Sequence, residues 1–297
     1  MKIPFSKDHR QNYGELEKIG PDLRRILANN PSPYTYTGTN TYVVGSGSVA
    51  VIDPGPNDVE HCNALLTSLG DETVSHIVVT HSHPDHVAGC ERLQQLTGAQ
   101  VYAMSLPELN METHDHTDEA PHLNFSPDVC LTDGEIIASE GWQLECVHTP
   151  GHLSDHLCLA LLGQDQLLSG DHVMAWSTSI VSPPHGHMGS YMKSLKRLLD
   201  RTEHTYWPGH GGPVTNPQQF VTALIQHRRD RETLIMECVT KGFNTVETML
   251  PKVYADINQT LLPAAARSLF ATVIYLVESG QLVVSEQLSF DSILYVN

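Results

Sequence analysis

Basic residues are scarce in this sequence. Its 17 lysines and arginines face 34 aspartates and glutamates, which gives a formal net charge of −17. Between Arg92 and Lys193 the sequence contains neither lysine nor arginine. Proteins that bind a phosphate backbone or an anionic membrane generally present a basic face. We therefore do not expect DNA or membrane binding, while Lys193, Lys196 and Arg197 could form a small basic edge and keep RNA as an alternative partner.

Long apolar runs and paired cysteines are also missing. No uninterrupted apolar run reaches the roughly 20 residues that cross a bilayer, and residues 1–20 lack the apolar core of a secretion signal. The six cysteines are scattered without a Cys-x-x-Cys pair, a pattern typical of reduced thiols. With 297 residues, 40% of them hydrophobic, the chain can form one large domain or two ordinary ones. We expect a cytoplasmic protein.

Histidine, by contrast, is concentrated in one short segment, residues 80–86, with the sequence Thr-His-Ser-His-Pro-Asp-His. The apolar residues 77–79 before it predict a buried strand, and residues 86–96 predict a helix. Pro84 suits the first helical position, because its φ is already helical and its missing N–H would be unpaired there. Imidazole and carboxylate are good ligands for zinc and similar metals. The segment therefore predicts a metal site at a strand-to-helix turn.

Three later segments show the same arrangement, a ligand side chain after a strand and next to a glycine. They place His152 in Thr-Pro-Gly-His, Asp171 in Ser-Gly-Asp and His210 in Pro-Gly-His-Gly. Glycine lets the backbone bend sharply and approach a metal closely. Each segment alone is a weak signal, but the ordered set is a strong one.

Hydrophobic patterning predicts a mixed α/β (α+β) protein with two sheets packed face to face and helices outside. Strands are expected at 23–27, 38–44, 49–52, 77–79, 101–104, 136–137, 144–147, 157–162, 166–169 and 205–207. Helices are expected at 59–69, 86–96 and 191–199. After Pro217 the pattern changes to helices at 218–239, 246–254 and 264–278 and a hairpin strand near 282. We predict a catalytic domain over 1–216 and a winged-helix-like domain over 217–297.

These motifs in this order resemble the metallo-β-lactamase-fold hydrolases. Further likeness to the lactamase-β-2-like, glyoxalase-II-related branch lies in residues 38–42, residues 191–195 and the segment His227-Arg228-x-x-Arg231-Glu232. The resemblance covers nearly the whole chain. It implies a four-layer αββα sandwich followed by a small winged-helix-like C-terminal domain.

The resemblance also implies a dinuclear metal site. In that family pattern one metal is held by His81, His83 and His152, the other by Asp85, His86 and His210, and Asp171 bridges them. Two divalent ions can share a hydroxide, lower its pKa and polarise the substrate oxygen, and Asp85 is the candidate catalytic residue for proton relay. Histidine at position 83 differs from the di-iron flavoprotein branch and favours zinc, with manganese and iron as alternatives.

Other histidines have less certain roles. His148, His156 and His172 flank the motifs and are candidates for orienting the ligands, with a purely structural role as the alternative. His114, Asp115, His116 and His122 lie in an aperiodic segment, 105–125. We expect them to belong to a solvated loop over the site rather than to a second metal site.

Several functions fit this sequence. The first is a zinc-dependent hydrolase that uses a metal-bridging hydroxide on a small ester, thioester or lactone. Alternatives are a metal-dependent ribonuclease or phosphodiesterase, a mononuclear iron enzyme like the persulfide dioxygenases, and a regulatory module whose C-terminal domain contacts DNA. Residues from 218 onward hold six basic and eight acidic residues, a net −2. This charge favours a small-molecule substrate, with the C-terminal helices shaping the pocket or a homodimer contact.

Overall fold

The computed structural model describes residues 2–8, 11–106, 120–255 and 257–297. Its first large sheet contains seven strands in chain order, antiparallel from β1 to β4 and parallel from β4 to β7. These strands are β1 (Glu17–Lys18), β2 (Leu23–Leu27), β3 (Asn40–Val44), β4 (Ser48–Ile52), β5 (Thr73–Val78), β6 (Gln100–Ala103) and β7 (Val129–Cys130). Helices make the parallel connections: α1 (Val59–Leu69) joins β4 to β5, and α2 (Pro84–Val87) and α3 (Cys90–Thr97) join β5 to β6.

The second sheet has the strand order β12-β11-β10-β9-β8. Its strands are β8 (Ile136–Ser139), β9 (Trp142–His148), β10 (Leu157–Leu161), β11 (Gln166–Gly170) and β12 (Thr205–Pro208). The strands from β8 to β11 pair antiparallel, whereas β11 and β12 are parallel and are joined through α4 (Met188–Leu199). As a result β9, β11 and β12 all end at the same edge of the sheet.

Alternating side chains of the strands form three hydrophobic cores between the layers of the sandwich. In β3, Tyr42 and Val44 pack against the second sheet, whereas Val43 between them packs under α1 and α3. This is the two-residue period of a strand that is buried on both faces. On the far side of the second sheet, Val147 and Leu167 pack against α4 and the start of α5. The order of layers is therefore helix, sheet, sheet, helix, and the predicted four-layer sandwich is confirmed.

The C-terminal region is helical with a small antiparallel ribbon. It contains α5 (Pro217–Thr240), α6 (Val246–Val253), a 3₁₀ turn (Gln259–Leu261), α7 (Leu262–Glu278), β13 (Leu282–Val284) and β14 (Leu294–Val296). Helix α5 belongs to two cores: Phe220 and Leu224 pack under the second sheet, while Ile235 and Val239 pack against α6 and α7. The division of the chain near residue 216 and the winged-helix assignment remain predictions.

One predicted helix is divided in the structure. The pattern at 86–96 predicted a continuous helix, but α2 ends at Val87 and α3 begins at Cys90. Between them the Gly89 N–H donates to Gly55 O at 2.9 Å, and a Cβ at Gly89 would lie 2.8 Å from Pro54 O. The expectation was wrong because this contact with a distant turn interrupts the helix.

One helical stretch, Gln259–Glu278, passes the length and composition test for a membrane span, with a mean hydropathy of 1.6. Because polar residues such as Arg267 interrupt this stretch, it does not contain a long uninterrupted apolar run in the sequence. In the structure its residues Leu269, Val273 and Leu276 are buried in the C-terminal core.

Candidate metal centre

The seven predicted ligand side chains meet at one edge of the sandwich. His81 and His83 lie in the loop after β5, and Asp85 and His86 lie in α2. The remaining three follow the ends of β9, β11 and β12, and are His152, Asp171 and His210. The two sheets are joined at this point by the Leu157 N–H, which donates to Thr80 O at 2.8 Å. Strand ends from both sheets therefore present all seven side chains to a common centre.

The first group of side chains consists of three buried histidines. His83 Nδ1 lies 3.0 Å from His81 Nε2 and 2.9 Å from His152 Nε2. A single ring nitrogen with one proton or one lone pair cannot satisfy two such neighbours as hydrogen bonds. Three nitrogens that converge in this way are instead suited to share a cation. His81, His83 and His152 form one of the potential metal-binding groups in the structure.

A second group joins carboxylates to histidines. His210 Nε2 lies 3.2 Å from both Asp85 Oδ2 and Asp171 Oδ2, and His86 Nε2 lies 3.4 Å and 3.7 Å from the same two oxygens. Asp171 Oδ2 also lies 3.9 Å from His152 Nε2 in the first group. Asp171 thus lies near histidines of both groups, as a bridging ligand requires, and a further potential metal-binding group, His81, His86 and Asp171, also joins the two. The assignment of the seven residues as ligands stays a prediction.

The outer nitrogens of four of these histidines are held by the protein. His86 Nδ1 donates to Asp53 Oδ2 at 2.9 Å, His152 Nδ1 to Ile180 O at 2.6 Å and His210 Nδ1 to Gly38 O at 3.1 Å. His81 Nδ1 lies 2.9 Å from Thr80 Oγ1. In each ring this contact leaves Nε2 facing the centre. A metal-binding histidine is typically fixed in this way by a partner on its other nitrogen.

Asp53 organises the loop that carries the histidines. Its carboxylate accepts the Thr80 N–H at 2.7 Å, the Thr80 hydroxyl at 2.8 Å and His86 Nδ1–H at 2.9 Å. Asp53 has a φ of 51°, an unusual backbone conformation for a residue with a side chain. The sequence reasoning treated Asp53 only as the end of a strand and missed this role. The contact of Asp53 with His86 spans 33 positions of the chain, so the local sequence carried no direct signal of this role.

Buried charge sets the pKa values in the centre. Burial lowers the pKa of His81 and His152, and it lowers that of His83 to about 3. Burial also acts against protonation of His86 and His210, but the neighbouring Asp85 and Asp171 carboxylates outweigh it, and the pKa of His210 rises to about 9. The Asp85 and Asp171 carboxylates thus favour positive charge beside them.

The residues of the centre fit divalent cations. His86 Nε2 and Asp171 Oδ1 are fully buried and have no hydrogen-bond partner in the described part of the chain. Polar atoms buried in this way are costly unless they are paired or bind a metal. A cation at the centre would satisfy both atoms.

Glycines let the strand ends approach the ligands. A Cβ at Gly209 would collide with Asp171 Oδ1 and would lie 2.6 Å from His86 Cε1. Gly170, with a φ of 48°, has no room for a Cβ because His156 Nε2 would lie 2.5 Å from it. Both glycines are therefore required by the geometry of the centre.

The three histidines expected to support the ligands have different surroundings. His156 is buried, pairs with Thr149 Oγ1 at 2.9 Å and accepts the backbone N–H of Asp171 at 3.1 Å, so it positions that turn. His172 is buried with its ring 4.5 Å from that of Tyr191. The His148 ring instead contacts Ser154 O, at 2.9 Å. Of the three, His156 has the contact that a supporting role needs.

The histidine-rich loop contributes one described contact near the centre. The His122 N–H donates to Ser82 O at 2.7 Å. His114, Asp115 and His116 lie outside the described residues. All six cysteines are free thiols, as their scattered spacing predicted.

A cavity of about 820 Å³ opens beside the centre. Residues of both metal groups line it, including His83, Asp85 and His210, and so do residues from the C-terminal region, including Ile257, Leu261 and Ser268. The C-terminal helices therefore shape the space in which a substrate would lie. Arg228 of α5 also lines this cavity, although the sequence reasoning gave it no role in the site.

Comparison with known proteins identifies the family. The metallo-β-lactamase superfamily domain matches residues 34–210, which include all seven side chains of the centre. The chain belongs to the metallo-β-lactamase superfamily. Together with relatives named as thioesterases, the family shows this chain to be a metal-dependent hydrolase.

Relatives in this superfamily match most of the chain. A β-lactamase-like protein 2 homolog of Drosophila melanogaster is 32% identical over 295 residues, 95% of this chain and 96% of that protein. An atrochrysone carboxyl ACP thioesterase of Claviceps purpurea is 28% identical over 264 residues, 85% of this chain and 79% of that protein. A metallo-β-lactamase family protein of Thermus thermophilus shares the fold with a TM-score of 0.74 and 22% identity, covering 94% of this chain and all of that one.

Proposed function

We propose that this protein is a dinuclear metallohydrolase that cleaves a small thioester, ester or lactone. The observation that carries the proposal is the set of four histidines whose outer nitrogens are held by Asp53, Thr80, Ile180 and Gly38 while their inner nitrogens converge with two carboxylates. Nitrogen-rich donor sets of this kind favour zinc. In this proposal His81, His83 and His152 hold one ion, Asp85, His86 and His210 hold the other, and Asp171 bridges them.

Two bound zinc ions would activate a water and polarise the carbonyl that it attacks. Asp85 is suited to move the proton. Its side chain is 27% exposed, against 9% for Asp171, so Asp85 is the carboxylate of the pair that is more open to the cavity. Thr39 Oγ1 donates to Asp85 Oδ2 at 3.2 Å and fixes that oxygen beside His210. We therefore assign proton transfer to Asp85 and ligand bridging to Asp171.

A carbonyl substrate is favoured over a phosphodiester. Among the residues that line the cavity, the described part of the chain offers one lysine or arginine, Arg228. Catalysts of phosphoryl transfer usually surround the phosphate with several cationic groups. The name of the Claviceps relative, a thioesterase, agrees with a carbonyl substrate.

The test is a substrate panel with matched variants. Zinc-loaded protein is assayed with thioesters of N-acetylcysteamine, simple esters, lactones, a phosphodiester and single-stranded RNA. His210→Ala is compared with His204→Ala, because the two histidines lie on either side of β12 and His204 is exposed. We expect turnover of a carbonyl substrate that His210→Ala abolishes and His204→Ala retains. Cleavage of RNA or the phosphodiester alone would refute the proposal.

A further inference from the structure

Arg228 is a buried cation in the wall of the substrate cavity. Its residue is 5% exposed, and it lines the same cavity as Asp171 and His152. It lies on α5, outside the matched superfamily domain of residues 34–210. Hence the part of the chain that carries the metal ligands does not supply this charge.

Within the part of the chain that the structure describes, the guanidinium has no carboxylate partner. One terminal nitrogen donates to Ser179 O, and the guanidinium carbon lies 5.1 Å from the centre of the Tyr191 ring. Across the described residues, no ion pair involves Arg228, and its Nε is buried without a hydrogen-bond partner. A buried charge without a counter-ion is strongly unfavourable. The guanidinium therefore carries a buried charge that a bound anion in the cavity would neutralise.

Apolar side chains form part of the cavity lining, beside several serines and threonines. The lining includes the side chains of Met174, Ile180, Ile257, Leu261 and Ala264. Tyr254 lines the cavity too, and Arg231 stacks on it with its guanidinium carbon 4.4 Å from the ring centre. Such walls suit a hydrocarbon segment, while a single guanidinium suits one carboxylate, which it can bind through two parallel hydrogen bonds.

We infer that Arg228 binds a carboxylate of the substrate, so that the preferred substrates are thioesters or esters that carry a carboxylate separated from the reacting carbonyl by a short apolar segment. This inference rests on the proposed function for the reacting end of the substrate. The carboxylate site itself depends only on Arg228 and the cavity. A polyanionic substrate such as RNA fits less well, because the described lining offers one guanidinium and no lysine.

The kinetic test uses pairs of substrates that differ only in the terminal group. Succinyl, glutaryl and adipoyl thioesters of N-acetylcysteamine are compared with butyryl, pentanoyl and hexanoyl thioesters, and a second set carries the carboxylate on the thiol. The readout is the ratio of kcat/KM for the carboxylated substrate to that for its methyl-terminated partner. A charge-assisted bond predicts a ratio of about 10 to 100 for at least one pair.

Two variants separate binding from structure. Arg228→Met should bring the ratio to about 1, whereas Arg229→Met, which removes the same charge from an exposed position of α5, should keep it. Arg228→Lys should retain part of the preference. If Arg228 only supports the fold, Arg228→Met lowers both rates together and leaves the ratio at its wild-type value. That result, or a wild-type ratio near 1 for every pair, would overturn the inference.

A binding measurement separates this inference from the proposed function. Isothermal titration calorimetry of the zinc-loaded protein compares succinate, glutarate and adipate with butyrate, pentanoate and hexanoate. We expect one dicarboxylate to bind at least ten times more tightly than its partner, with the difference lost in Arg228→Met and kept in Arg229→Met. This outcome without any thioester or ester turnover would support the carboxylate site and refute the proposed function. Equal affinities within every pair would overturn the inference whatever the protein hydrolyses.

Discussion

Asp53→Asn should weaken metal binding although Asp53 is not one of the proposed ligands. The wild-type carboxylate is 3% exposed and accepts three hydrogen bonds, two from Thr80 and one from His86 Nδ1–H. Asparagine offers one acceptor oxygen and an NH₂ group that only donates. If its oxygen takes the Thr80 N–H, its NH₂ faces His86 Nδ1. His86 then has to carry its proton on Nε2, the nitrogen that the metal needs.

The magnitude follows from this tautomer change. Loss of the partner that orients a metal-bound histidine typically costs about 10- to 100-fold in affinity, or about 1.4 to 2.8 kcal/mol. The affinity for zinc is measured by competition with a chromophoric chelator at pH 7.5. Asp58→Asn is the matched control, because it removes the same charge from the same loop but only caps α1, a position where asparagine serves equally well. Zinc affinity within twofold of wild type for Asp53→Asn would refute the proposed role of Asp53.

Three further predictions concern the same centre and its surroundings. His81→Ala and Asp171→Ala should abolish hydrolysis and lower the metal content of a folded protein, while Asp165→Ala, exposed before β11, should do neither; mass spectrometry and circular dichroism check this, and full activity of either ligand variant would contradict the assignment. Gly209→Ala should lower zinc affinity at least tenfold, because its methyl group would displace Asp171; an unchanged affinity in the chelator assay would count against this geometry. Burial lowers the pKa of His61 to about 4, so between pH 6.5 and 4 the unfolded chain binds a proton that the folded chain does not. The free energy of unfolding should therefore decrease as the pH is lowered through this range, by up to about 1.4 kcal/mol per pH unit. Urea unfolding of the metal-free protein at pH 7, 6 and 5 should show a smaller decrease for His61→Gln than for the wild type, and equal decreases would exclude His61 as a cause.

Local sequence was sufficient to predict most of the fold. Helix α1 was predicted with the observed bounds because its apolar residues recur with a helical period and Asp58 caps its start. The Asp58 carboxylate accepts the Glu60 N–H at 2.8 Å. Strand β10 was recognisable because it is buried on both faces and is a continuous apolar run, and β3 because it is rich in β-branched and aromatic residues. The division between α2 and α3 was not predictable in this way, because the turn at Gly55 that interrupts the helix lies more than thirty residues away.

The candidate site shows the same difference between residues with a local signal and residues that depend on long-range contacts. The side chains at strand ends were recognisable because each stands next to a glycine or proline turn with its own local signal. Asp53 and Arg228 were not, because their importance depends on what surrounds them. Asp53 reaches His86 across 33 positions of the chain, and Arg228 reaches Ser179 across 49. Their roles follow from buried contacts between distant segments, and a single sequence carries no direct signal of such contacts.

The number and kind of metal ions per chain test the central claim most directly. Protein purified without added metal is analysed by inductively coupled plasma mass spectrometry, together with His210→Ala and the exposed control His204→Ala. We predict close to two zinc ions per chain for the wild type and His204→Ala, and a clear loss for His210→Ala. One iron per chain in the wild type, unchanged by His210→Ala, would contradict the dinuclear hydrolase and the bridging role of Asp171.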